Sequence, residues 1–247
     1  MPDLAITVLG CCGSYPGPGQ ACSGYLIRGG GVNVVMDLGP GALANLQRHI
    51  GLADIDAVVL SHRHADHWID LTGLETAWKY ALGLEGLNVY GTAENRAAAA
   101  AVIGELDPVI DWHEITDAGH ARIGGLDLDF SATDHYVDTL AVRVGSSADG
   151  VAAAYSADTG PGWSFTELGP AIDLALCEAT MLADGESEGL LHLSARQAGA
   201  MAKAAGVGRL VLTHLQPGID RTASQSEGAA AYGSPVQVAH EHAVFHL

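Results

Sequence analysis

The stretch DAVVLSHRHADHWID, residues 56–70, runs from an apolar, strand-like segment straight into a knot of polar groups. Its last ten positions contain His62, His64, Asp66, His67 and Asp70. Imidazole and carboxylate are ligands that zinc, manganese and iron accept, and catalytic sites leave one position open for water. On a strand end or extended loop, residues two apart share one side of the backbone, so His62 and His64 point together. Asp66 and His67 follow past the turn, placed to face a second ion. A lone His-x-His pair carries little weight. The whole His-x-His-x-Asp-His run behind a buried strand carries much more.

Two metals need more ligands than this run supplies, and the remaining candidates stand where other strand-like segments end. DLDFSATDH ends at His135, VAAAYSADTG reaches Asp158, and RLVLTH ends at His214. Each follows an apolar run that would carry it to a sheet edge. His192 precedes the helix SARQAGAMAKAAG, with Ser194 as its N-cap and Gly206 at its end, and is free to point into a cleft.

Strand signals fill the first third (LAITVLG, SGYLIR, VNVVMDLG, AVVLSH), divided by glycine clusters. The pattern predicts helices near 41–50, 73–82 and 93–104. Further strands are predicted at 110–115, 120–130, 139–145, 151–155 and 172–177. RTASQSEGAAAYGSP, residues 221–235, reads as loose chain. Two runs of strands with helices between and after them predict sheets covered by helices on their outer faces, in a single domain spanning 1–247.

With 29 Asp+Glu against 11 Lys+Arg, the net charge is −18. Such a surface repels polyanions and fits a small substrate. A salt-rich cytoplasm would explain the acidity equally well. No apolar run has the length of a membrane span and no signal peptide is evident, so a cytoplasmic protein without membrane contact is expected. Cys11, Cys12, Cys22 and Cys177 lack the spacing of a metal pair or a disulfide framework and read as reduced core residues.

His-x-His-x-Asp-His, then a lone His, an Asp in SADTG and a His in LTH, resembles the metallo-β-lactamase fold hydrolases. The likeness runs from ITVLGCCGS to LTHLQP. It implies an α/β fold, an αββα sandwich of two facing mixed sheets flanked by helices, with the site at one sheet edge. It implies that His62, His64 and His135 hold one divalent ion, that Asp66, His67 and His214 hold another, and that Asp158 bridges them. Zinc is the first expectation, with manganese or iron as alternatives. CEAT at 177–180 and HLSARQAG at 192–199 look like segments of the tRNase Z branch. By that likeness His192 is a general acid oriented by Glu178, and Asp66 serves the attacking water. Asp37 in VVMDLGPG resembles the family's supporting Asp-x-Gly element.

Cys177 stands where tRNase Z has a histidine, and the short interval from His135 to Asp158 has no room for the arm that clamps tRNA. The chain looks more similar to short actinobacterial atypical cyclic-AMP phosphodiesterases. The expected activity is hydrolysis of a small phosphodiester, 3′,5′-cyclic AMP to AMP, with nucleic acid not a partner and a homodimer open. Alternatives are a phosphotriesterase, lactonase or thioesterase on the same site, or a tRNase Z-type endoribonuclease. Arg63, Arg143 and Ser14 are read as structural or exposed, as are His113, His120, His240, His242 and His246. Trp68 and Trp78 are read as core.

Overall fold

The computed structural model describes residues 4–146 and 150–247. Among them, two sheets of seven strands face each other. The first contains β1 (Ala5–Gly10), β2 (Gly24–Gly29), β3 (Val32–Leu38), β4 (Ala57–Val59), β5 (Leu87–Gly91), β6 (Ile110–Glu114) and, at its edge beside β1, β14 (Val244–His246). The second runs in order from β7 (His120–Ile123) through β8 (Leu126–Ala132), β9 (Leu140–Ser146), β10 (Val151–Tyr155), β11 (Leu174–Glu178) and β12 (Arg209–Thr213) to β13 (Gln237–Val238). Each sheet is antiparallel in one half and parallel in the other.

Side-chain alternation builds the layers. Tyr25 and Ile27 of β2 turn inward to meet Phe130, Val142, Leu176 and Val211 of the other sheet. Leu26 between them turns outward and packs with Val35 and Val58 beneath helices α1 (Ala42–Leu46) and α3 (Leu71–Thr76). On the far side, Ala154, Ala175 and Leu212 lie under α5 (Ala195–Ala204) and α6 (Arg221–Tyr232). The result is four layers, helix, sheet, sheet, helix. Both faces of the central strands are dry, which is why β1 and β11 are buried at every position. Each fully buried Leu, Ile or Val stabilises this arrangement by about 1.5–3 kcal/mol.

Four predicted segments differ. The 120–130 strand is a hairpin, β7 and β8, because Gly124 takes a left-handed φ of 56° and turns the chain there. The helix expected over 41–50 is regular only at Ala42–Leu46. The one expected at 73–82 begins at Leu71 and widens into a π-helical turn over Ala77–Leu82. The loose stretch is α6. Asp220 caps it by accepting the N–H groups of Thr222 and Ala223, and its small residues let it press on α5. Trp68 and Trp78 are buried. The four cysteines are free and buried, and burial first of all raises Cys11 to about 11 and Cys22 to about 12.

Strands β3, β4, β8, β10, β11 and β12 end at a common edge of the sandwich. Among the described residues, no helix is long and apolar enough to cross a membrane.

Candidate metal centre

At that edge the strand ends release their polar residues together. Asp37 is on β3, His62 and His64 follow β4, and Asp66 and His67 sit in the short helix α2 (Ala65–Trp68). His135 follows β8, Asp158 follows β10, Glu178 ends β11, and His214 follows β12. Gly39 permits the close approach of α2 to β3, since a Cβ there would stand 1.9 Å from the Asp66 carbonyl oxygen. The ligating atoms fall into overlapping groups, each within 4.8 Å: His62, His64, His135 and Asp158; Asp66, His67 and His214; Asp158, His192 and His214.

The outer hydrogen bonds assign the imidazole tautomers. Ser61 Oγ donates to Asp37 Oδ2 at 2.8 Å, so it accepts from His62 Nδ1 at 3.0 Å. His67 Nδ1 donates to Asp37 Oδ2 at 2.8 Å, and His135 Nδ1 to the Leu191 carbonyl at 3.0 Å. Thr180 Oγ1 donates to Glu178 Oε2 at 2.7 Å and accepts from His214 Nδ1 at 2.9 Å. In all four rings the inner nitrogen, Nε2, thus faces the centre and, when the ring is neutral, presents its lone pair there. The inward nitrogens crowd one another: His62 Nε2 is 3.0 Å from His64 Nδ1, His64 Nδ1 is 3.2 Å from His135 Nε2, and His67 Nε2 is 3.2 Å from His214 Nε2.

Charge points the same way. The carboxylates Asp37, Asp158 and Glu178 are buried, Asp66 nearly so, and among the described residues their ion-pair partners are all histidines. Asp158 Oδ1 is buried without a hydrogen-bond partner, 3.2 Å from His67 Nε2 and 3.3 Å from His214 Nε2. Its Oδ2 lies 3.6 Å from His62 Nε2 and 3.8 Å from His135 Nε2. An unpartnered carboxylate oxygen amid converging imidazole lone pairs fits divalent cations, and the N/O donor set suits zinc, manganese or iron.

Burial would raise Asp66 and Asp158, yet the facing imidazoles, His67 and His214 for Asp66 and His214, His67 and His62 for Asp158, hold both well below the usual carboxylate range. Burial, helped by the neighbouring rings, keeps His62 and His64 below their ordinary value, and at His135 burial outweighs Asp158. His67 goes the other way: burial pulls it down, but Asp158, Asp66 and Asp37 together lift it well above. At His192 burial is again the largest influence and lowers it, but the hydrogen bond and charge of Glu178 prevail and raise it to about 9.

Glu178 is a hub. Its oxygens accept from Thr159 N, Thr180 Oγ1, Leu193 N and, at 2.9 Å, His192 Nδ1. The His192 ring is stacked 5.6 Å from that of His214 and retains 17% side-chain exposure.

Sequence reasoning missed several contributors. Thr180 joins Glu178 to His214, Ser61 and Tyr155 donate to Asp37, and the Ser14 backbone N–H donates to Asp66 Oδ2 at 2.8 Å. CEAT contained Thr180 in plain view, but nothing in sequence joined it to His214. Cys177 faces the helix-side core, away from these groups. Arg63 pairs with Glu94, and Arg143 donates to the Pro170 carbonyl. His113 and His120 bond Asn88 and Asp129, and His242 meets Arg48 and His49.

Residues 32–215 match the family model described as a beta-lactamase superfamily domain. An uncharacterized protein of Mycobacterium tuberculosis is 36% identical over 244 residues, covering 95% of this chain and 89% of that one. The probable metallo-hydrolase YhfI of Bacillus subtilis is 30% identical over 223 residues, 86% of this chain and 87% of its own. Its crystal structure, of a metallo-beta-lactamase fold protein, superposes with a TM-score of 0.89 at 27% identity, covering 98% of each chain. Ribonuclease Z of Mycobacterium marinum is 30% identical over 246 residues, 87% of this chain and 88% of its own.

Proposed function

The chain belongs to the beta-lactamase superfamily and is a metallo-hydrolase, and on that footing we propose that it is a binuclear phosphodiesterase opening 3′,5′-cyclic AMP to AMP. His62, His64 and His135 would hold one divalent ion and Asp66, His67 and His214 the other, with Asp158 available to both. When bound, such ions lower the pKa of a water from about 15.7 toward ~7 and offset charge on the phosphoryl oxygens.

The chain's own groups do the rest. Asp66, its Oδ2 steadied by the Ser14 N–H, orients the attacking water by accepting its hydrogen bond, the water's other proton having passed to solvent. As the new P–O bond forms and the P–O3′ bond breaks, His192 Nε2 delivers its proton to the departing ribose oxygen. Glu178 fixes Nδ1 of that ring and favours the imidazolium. The observation that carries this reading is the buried Glu178 holding a part-exposed His192 at 2.9 Å beside the ligand array. An alkoxide leaving group needs such a donor, whereas a thioester, which expels a thiolate, depends on it far less.

A nucleic-acid substrate is disfavoured despite the likeness to ribonuclease Z. The net charge of −18 opposes a polyanion. The interval between His135 and Asp158 is filled by β9 and β10, which pair directly at Ser146 and Val151. We take the 247 residues as one catalytic domain, and the four free buried thiols suit a reducing cytoplasm.

The test is His192→Ala. It should retain both metals and slow cyclic AMP hydrolysis by roughly 10²–10⁴. A nitrophenyl phosphodiester, whose leaving group departs without a proton, should be slowed far less. Equal losses on both substrates would remove His192 from the proton-donor role.

A further inference from the structure

Tyr136 follows His135 directly, and its ring stands on the rim of the centre, 55% exposed. Its centroid lies 5.2 Å from that of His135, inclined at 64°, and 6.4 Å from that of His192. The hydroxyl is not free. It accepts the Leu191 N–H at 3.1 Å and donates to the Gly189 carbonyl at 3.4 Å. The same Leu191 offers its carbonyl to His135. The ring is thereby tied at its root by a candidate ligand and at its tip by the strap carrying His192, leaving an open aromatic face beside the proposed proton donor.

A scattered exposed tyrosine needs no explanation, but one fixed at both ends next to reacting groups is a preformed surface. The chain is poor in cations, so a substrate's neutral part must be gripped by something other than charge. A flat π-system does this, because every nucleobase has a π-face and stacking on an aromatic side chain requires no specific hydrogen bond.

We propose that Tyr136 is the platform on which the base of a nucleotide substrate stacks, and that the site therefore selects phosphodiesters bearing a nucleobase. This rests on the phosphodiesterase reading for its reaction and adds the group that recognises the non-reacting part of the substrate. The phosphate would lie at the ligand array while the base extends over the rim toward the strap. Tyr136 acts here as a specificity residue, and the bond-breaking step does not involve it.

The experiment is titration calorimetry of metal-loaded protein with AMP and with ribose 5-phosphate, which differ only in the base. AMP should bind the wild type tighter by roughly 5- to 150-fold, the span of one base–aromatic stack. Tyr136→Ala should erase that preference while leaving ribose 5-phosphate binding unchanged. Tyr136→Phe, which keeps the ring and loses both hydroxyl bonds, should retain it. Tyr80→Ala, at another exposed tyrosine, should leave both affinities as they were. Equal affinity for the two ligands in the wild type would overturn the proposal. So would parallel losses on both ligands in the Ala and Phe variants, which would mark Tyr136 as a brace for the strap. Turnover of cyclic AMP is measured separately: intact base preference without turnover would remove the phosphodiesterase reading and leave the platform standing.

Discussion

At Asp158 a buried carboxylate faces four imidazole nitrogens, with one oxygen toward each set of candidate ligands. Removing it leaves two clusters of histidines with nothing to join them. Asp158→Ala is expected to fall from two metal ions per chain to one or fewer by elemental analysis, with hydrolysis lost in parallel. Two retained ions with full turnover would refute the bridging role. The candidate ligands were legible in sequence because four of them lie within one short run and the others follow apolar strands. Of the groups that set their tautomers, only Asp37 was. Thr180, Ser61 and Tyr155 are ordinary polar residues whose roles arise only when distant strands converge, as in the pairing of Tyr155 with Asp37. The Ser14 contact uses a backbone N–H, which no residue type announces.

Helices α5 and α6 show where periodic patterning succeeds and where it fails. The first was legible from its Ser194 cap, which also forms a reciprocal capping box with Gln197. The second has few large apolar residues to mark a face, because it packs by close approach instead. Ser224, Gly228 and Tyr232 are buried on it, and a Cβ on Gly199 of α5 would stand 2.4 Å from the Gly228 carbonyl oxygen. Gly199→Ala should therefore destabilise the fold by about 1–3 kcal/mol, as overpacking does. For a chain of this size each kcal/mol lowers Tm by about 2–4 °C. An unchanged Tm by calorimetry would show that the helices separate freely. The predicted strand at 120–130 failed for a related reason: its apolar residues alternate on both sides of Gly124–Gly125, so periodicity alone reads through the turn.

Over the whole molecule, the acidic surface and the metal-centred edge make opposite demands on a substrate. A long polyanion meets repulsion at every phosphate beyond the centre, while a cyclic mononucleotide brings a single diester charge to it. The layered architecture followed from strand and helix order, and the clustering of the candidate groups followed from where strands end. Substrate choice was less legible, because it depends on what lies around the opening: the strap, the Tyr136 ring and the directly paired β9 and β10. The most direct measurement is a product chromatogram from metal-loaded protein given 3′,5′-cyclic AMP and precursor tRNA under identical conditions. The account predicts conversion of cyclic AMP to AMP with the tRNA intact. Efficient 3′ cleavage of the tRNA beside untouched cyclic AMP would contradict it.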